Sequence, residues 1–168
     1  MRKLTQATYD FIFAHFTDIQ LMTFLGIPNT TELTKEKKKY EGGLSTHNRS
    51  FLNFLLIDKS TDKVIGSCGF HTWYIDHNRA EIGYALSDES AKNKGYMSEA
   101  LQQIIAYGFE KMELHRIEAF VGPENAPSVK LVEKHGFTKE GHLKEHYLKN
   151  GKFEDSLVYA LLKKDFNQ

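Results

Sequence analysis

Cysteine, proline and net charge are all scarce in this chain. Cys68 is the only cysteine, three prolines stand in 168 residues, and 22 Lys and Arg balance 22 Asp and Glu. A lone cysteine cannot close an internal disulfide, so packing must hold the fold together, and a reducing, cytoplasmic setting is expected. The charge balance argues against the broad attraction that draws basic proteins to nucleic acid or to an acidic membrane surface. Long apolar runs are lacking as well. Residues 11–16, 54–57 and 157–162 all fall far short of the roughly 20 that a spanning helix needs. The start, Met-Arg-Lys-Leu-Thr-Gln, is basic but is followed by no apolar stretch or small-residue cleavage site, so no signal peptide is expected. Repeats, low-complexity stretches and linkers are also missing. A chain of this length encloses one core and not two, which predicts a single domain over residues 1–168.

What is present alternates between two rhythms. Residues 4–25 carry apolar side chains at helical spacing, with Asp18 as the cap between two short helices and Pro28 ending the segment. Residues 34–41 predict a further short helix, whose Lys35, Lys37, Lys38 and Lys39 form a solvated face. Strands are predicted over residues 51–58 and 64–70, joined by a turn at 60–63, and over 72–75 and 79–86, separated by Asp76-His77-Asn78. The second half opens on a helix. Met97, Leu101, Ile104, Ile105, Gly108, Phe109 and Met112 share one face of a 3.6-residue period. A strand over 114–121, a helix over 127–135 closed by Gly136, and a strand over 137–143 follow. Asn150-Gly151 then turns the chain into a last strand, 156–162. The predicted fold class is mixed α/β (α+β), a mostly antiparallel central sheet flanked by helices.

The segment Lys92-Asn93-Lys94-Gly95-Tyr96-Met97-Ser98-Glu99-Ala100 joins the strand 79–86 to the long helix. A basic, Gly-containing loop at a helix start presents free N–H groups and the positive end of the helix dipole, which suits a phosphate. A glycine there also serves a purely structural turn. The flanking segments add specificity. Ala80-Glu81-Ile82-Gly83-Tyr84-Ala85-Leu86 precedes the loop, Arg116-Ile117-Glu118-Ala119 follows the helix, and Asn125-Ala126-Pro127-Ser128 and Lys134-His135-Gly136-Phe137 complete the series. In this order the segments resemble the GNAT N-acetyltransferases, in particular the branch that includes the ribosomal-protein alanine acetyltransferases, over about residues 51–162. The family's phosphate loop, Gln/Arg-x-x-Gly-x-Gly/Ala, reads Lys92-x-x-Gly95-x-Met97 here, so two of its signature positions differ. Backbone binding survives if the Met97 side chain turns into the core, and Glu99 is expected to face the core or a neighbouring backbone rather than the phosphate.

The resemblance implies transfer of acetyl from acetyl-CoA, as co-substrate and without a metal, directly to an amine. It implies cofactor contacts from Tyr84, Ala85, Leu86, Lys92, Asn93, Lys94, Gly95, Tyr96, Met97, Ser98 and Asn125, with the pantetheine arm beside residues 81–86. Backbone N–H groups at Tyr84, Ala85 and Leu86 are the implied oxyanion donors. Glu81 is the expected base, through a water, because an ordinary carboxylate near pKa ~4.3 is weak. Its alternative is a structural pair with Arg79 or Arg116, and Glu118 is the fallback base. Many family members carry a tyrosine acid on the following helix, where this chain has Val132. Ser128 is the expected substitute. Its alternative, a helix cap, is disfavoured by Pro127, which places the helix start earlier. Asn125 holds either the pantetheine amide or the turn.

Other chemistries find less support. His142 and His146 have no cysteine pair beside them and do not share a helical face, so no metal is expected. Cys68 suits a small buried side chain. Trp73 and Tyr74 line an acceptor pocket or pack the sheet. The acceptor is expected to be a primary amine. An α-amine, at pKa about 7.7 to 8.0, is easier to deprotonate than a lysine or polyamine near ~10.4, which favours a ribosomal or other protein N-terminus. A polyamine or antibiotic acceptor, and a non-catalytic acyl-CoA-binding module, remain alternatives. Monomer and homodimer stay equally open.

Overall fold

The computed structural model describes residues 1–41, 43 and 50–166. In chain order these form β1 (Arg2–Leu4), α1 (Gln6–His15), α2 (Asp18–Leu25), α3 (Thr30–Glu41), β2 (Ser50–Ile57), β3 (Val64–Tyr74) and β4 (Arg79–Leu86), followed by α4 (Tyr96–Glu110), β5 (Arg116–Val121), α5 (Ala126–Lys134), β6 (Thr138–Lys149) and β7 (Lys152–Leu162). The strands make one seven-stranded sheet in the order β1-β2-β3-β4-β5-β7-β6. Every pairing is antiparallel except β4 with β5. The fold is therefore the mixed, mostly antiparallel α/β sheet that the patterning predicts. Among the described residues no helix is long and apolar enough to cross a membrane.

Several boundaries differ from the sequence reading, each for a local reason. Thr17, not Asp18, caps α2: its side chain accepts the Gln20 N–H, and the Gln20 side chain returns to the Thr17 N–H. α3 begins at Thr30 rather than residue 34, because the Asn29 side chain accepts the Glu32 N–H at 3.0 Å. β1 is an unexpected strand of three residues, paired with β2 from Arg2 opposite Leu55 to Leu4 opposite Asn53. The two strands expected at 64–70 and 72–75 are one, β3, interrupted by a bulge that leaves His71 without a partner on β4. β6 and β7 both extend further toward Asn150-Gly151, whose φ angles of 51° and 77° suit a tight hairpin turn. β6 is polar or charged at most positions, so it shows little alternation. Asp155 on β7 holds it by accepting the Glu145 N–H at 2.9 Å, Lys144 Nζ at 2.9 Å and His142 Nε2 at 2.8 Å.

The main core lies between the sheet and α4. Met97, Ala100, Leu101, Ile104, Ile105, Gly108 and Phe109 are the buried face of α4, and all but the glycine join Phe70, Ile82, Leu114 and Ile117 in one cluster. Gly108 is the point of closest approach, since a Cβ there would lie 2.6 Å from Phe70 Cζ. Phe70 is fully buried, and truncating such a ring to Ala costs about 3–5 kcal/mol. Leu55 alternates away from Phe54 and packs with Leu4 and Tyr9, so α1 lies on the other face of the sheet.

The parting of two neighbouring strands positions the site. β4 and β5 pair only from Arg79 opposite Arg116 to Glu81 opposite Glu118. Beyond that point β4 stays with β3 as far as Leu86, and β5 stays with β7 as far as Val121. The two strands therefore part, leaving facing backbone edges at 82–86 and 119–121.

Candidate active site

At the far end of β4 the chain passes a short turn, Glu89–Ala91, and enters α4. Asn93 and Gly95 take left-handed φ angles of 59° and 82°, and Gly95 caps α4 with no side-chain hydrogen bond. The first intrahelical bond runs from the Glu99 N–H to the Gly95 carbonyl at 3.0 Å. Among the described residues, the N–H groups of Tyr96, Met97 and Ser98 find no protein acceptor. They stand at the positive end of a 15-residue helix. Met97 is buried in the core, so its side chain leaves the loop to its backbone. Lys92 donates to Glu89 at 2.6 Å. Glu99 does not face the core or a backbone. It is exposed and lines a cavity of about 460 Å³ between α4 and the ends of β2 and β3, with Leu56, Asp58, Lys59, Ile65 and Gln103.

The end of α5 braces this helix start. Ser98 Oγ lies 3.0 Å from His135 Nε2 and accepts from Lys134 Nζ at 2.9 Å. Burial, and then the Lys134 cation, hold His135 below its ordinary value. Lys134 thus adds a cation from α5 to the loop's own Lys92 and Lys94. The Lys-His-Gly-Phe motif marked the segment but carried no signal of this contact.

At the start of α5, Asn125 is the cap and its side chain accepts the Ser128 N–H at 3.2 Å. Asn125 therefore holds the turn, and Ser128 stands inside the first helical turn with its hydroxyl released from capping. That hydroxyl adjoins Tyr84. The Tyr84 oxygen is closed off from solvent and has no aligned hydrogen-bond partner among the described residues. Burial raises the Tyr84 phenol above its ordinary value, and the Ser128 hydroxyl beside it pulls it partly back. Val132 is fully buried in the core, so nothing at that position replaces a tyrosine acid.

Glu81 stands on the other side of the sheet. Tyr84 and Ile82 register with Cys68 and Phe70 on the core face, whereas Glu81 and Gly83 alternate to the opposite one. His71 Nε2 lies 2.9 Å from Glu81 Oε1, and the Tyr147 hydroxyl donates to the same oxygen at 3.4 Å. Burial and the Glu81 carboxylate raise the Tyr147 phenol. Neither arginine considered as a partner of Glu81 contacts it. Arg79 Nη1 and Arg116 Nε both donate to Glu118, at 2.6 and 2.8 Å, and Arg116 also reaches Glu140. Glu118 is thereby locked as a structural carboxylate. His71 and Tyr147 were absent from the sequence reading, since their contact with Glu81 depends on the β3 bulge and on the extended β6.

The aromatic pair divides between roles. Trp73 packs against the main core, and the Arg79 guanidinium stacks 4.0 Å above the Tyr74 ring. His142 and His146 bond to Asp155 and Ser156 rather than facing each other.

Comparison with known proteins places this geometry. The family model for the acetyltransferase (GNAT) domain matches residues 1–138, which takes in the N-terminal helices that the motif reading left out. An uncharacterized N-acetyltransferase of Bacillus licheniformis, p20, is 35% identical over 168 residues, covering 99% of this chain and 93% of that protein. The ribosomal-protein-serine acetyltransferase of Escherichia coli is 32% identical over 74% of this chain and 68% of its own length. The crystal structure of a ribosomal-protein-S5-alanine acetyltransferase from Vibrio fischeri superposes with a TM-score of 0.63 at 27% identity, over 81% of this chain and 71% of that one.

Proposed function

Because the chain belongs to the GNAT N-acetyltransferase family, whose members take acetyl-CoA as co-substrate, we propose that it acetylates the N-terminal amine of a ribosomal or other protein in the cytoplasm. The observation that carries this reading is the opening between β4 and β5, with free helix-start N–H groups at one end and polar side chains on both of its faces. The site fits the co-substrate. The N–H groups of Tyr96, Met97 and Ser98 suit pyrophosphate oxygens, with Lys92, Asn93, Lys94 and Gly95 around them. The unpaired edge at Tyr84, Ala85 and Leu86 suits an extended amide-bearing arm, as an added strand would, and offers N–H groups for a developing oxyanion.

Acetyl-CoA supplies an activated thioester. The chain's own groups hold its carbonyl in the opening, accept the proton of the attacking amine on the Glu81 face, and meet the departing sulfur with the Ser128 hydroxyl on the other face. Asn125 fixes Ser128 for that role. The buried Tyr84 oxygen beside it gives the Ser128 hydroxyl a polar neighbour in an otherwise apolar wall.

Charge favours a single-amine acceptor. Glu118 and Glu140 are both satisfied by arginines, so the carboxylates near Glu81 do not form the free anionic trough that would gather a polycation. Turnover should be measured with a peptide bearing a free α-amine, the same peptide N-terminally blocked but carrying lysine, and spermidine. We expect the highest kcat/KM on the free α-amine. Faster turnover of spermidine would overturn the acceptor class, and acetyl-CoA binding without turnover of any amine would overturn the catalytic reading.

A further inference from the structure

We propose that His71 takes the proton from the attacking amine and that Glu81 is its positioning partner, an assignment that rests on the acetyl-transfer reading above. A carboxylate near its ordinary pKa of ~4.3 is poorly matched to an α-ammonium of about 7.7 to 8.0, whereas an imidazole, ordinarily near ~6.5, is far closer. The chain has built an imidazole where this step needs one. His71 is the unpaired residue of the β3 bulge, set between the Phe70–Ile82 and Thr72–Glu81 pairs, and a bulge re-aims the side chain it carries. Its Nε2 meets Glu81 Oε1 at 2.9 Å. Since the carboxylate accepts, Nε2 carries the hydrogen and Nδ1 presents its lone pair.

Nδ1 lies over β4 at Gly83, just past the last residue of β4 that pairs with β5. A Cβ on Gly83 would lie 2.4 Å from it, so the ring sits directly on the β4 backbone where β4 has parted from β5. Glycine at 83 is what allows that approach. Exposure divides the labour: the His71 side chain is 49% exposed and the Glu81 side chain 13%. The imidazole meets the acceptor and the carboxylate lies beneath it, with Tyr147 donating to the same oxygen from β6.

In the step itself, the acceptor's α-ammonium gives a proton to Nδ1, and the freed amine nitrogen bonds to the thioester carbon and sheds its second proton to solvent. The resulting imidazolium is stabilised by Glu81. The carbon–sulfur bond breaks with its electron pair on sulfur, which is hydrogen-bonded by Ser128 and takes a proton from water. The imidazolium returns its proton to solvent, so amine and thioester become amide and thiol.

The test compares wild type with His71→Gln and His71→Ala on the α-amine peptide and on an acceptor of low basicity, such as a hydrazide, which arrives already neutral. His71→Gln should lower kcat on the peptide about 100-fold or more, spare the hydrazide, and leave acetyl-CoA affinity unchanged. Added imidazole should restore part of the His71→Ala turnover, since the ring's place is open to solvent. Undiminished turnover in His71→Gln, or an equal loss on both acceptors without imidazole rescue, would overturn the assignment while leaving the acetyl-transfer reading intact. A wild-type enzyme that turns over neither acceptor would overturn both.

Discussion

Gly83→Ala separates catalysis from stability without removing any functional side chain. Its added Cβ would lie 2.4 Å from His71 Nδ1 and 2.8 Å from Cε1, and no backbone atom is among its nearest neighbours. His71 is about half exposed, so the ring can swing outward. The fold loses one partly exposed hydrogen bond to Glu81, about 0.5–1.5 kcal/mol. Against this, replacing glycine in a strand interior returns about 0.5–1 kcal/mol of chain entropy. The terms nearly cancel, so Tm should move by less than about 4 °C in a chain of this size. Turnover on an α-amine peptide should nevertheless fall about 100-fold, because the displaced imidazole no longer sits beside the opening. Differential scanning calorimetry and a thiol-release assay on one preparation give both values. A folded variant with wild-type turnover would refute the placement of His71, and a large drop in Tm would refute the claim that only a movable side chain stands in the way.

Gly69→Ala is the contrasting case: its Cβ would meet the Leu52 carbonyl oxygen at 2.4 Å and Asn53 Cα at 2.6 Å. Backbone of a paired strand cannot step aside, so a loss of about 1–3 kcal/mol or more is expected in chemical denaturation. Ser128→Ala should slow thioester cleavage about 10-fold or more with acetyl-CoA affinity unchanged, because the backbone N–H bonded to Asn125 remains; an unaltered rate would confine Ser128 to packing. Cys68 is fully buried and its thiol is pushed up to about 12 by burial. The native protein should therefore give no signal with a thiol-reactive disulfide reagent until it is unfolded, and a rapid native reaction would contradict the core described above. Asp155 is held down to about 2, from an ordinary 3.8, chiefly by the Glu145 N–H and then by Lys144. A depressed carboxylate stabilises above its unfolded value and loses that contribution as pH falls through the folded one. The Tm gap between wild type and Asp155→Asn should thus be open near neutrality and close as pH falls from about 4 toward about 2, and a gap that widens in acid would have the wrong sign.

The parts of the site that lie along one element were legible in the sequence. The period of α4, the loop before it, and the Pro127 that places Ser128 inside a helix each depend on neighbours a few residues away, and the structure puts them where the pattern does. The parts that depend on register were not. Whether Glu81 faced an arginine could not be decided from spacing, because the answer lies in Arg79 and Arg116 both turning to Glu118 across the parallel pair. His71 was hidden for the same reason: a bulge is a mismatch between two strands and leaves no mark in either one alone. β1 and the outer half of β6 carry little alternation of their own and form because β2 and β7 offer edges to pair with. The first turn of α3 leaves little mark in the sequence because it is polar and its cap is a single asparagine.

A crystal structure of the chain with CoA and an N-terminal peptide tests the central claim most directly. The account predicts pyrophosphate oxygens at hydrogen-bond distance from the N–H groups of Tyr96, Met97 and Ser98. It predicts the thiol passing between β4 and β5 with Ser128 on one side, and the peptide's α-amine beside His71 Nδ1 on the other. CoA bound away from the parted strands, or an acceptor amine on the Ser128 face, would contradict it.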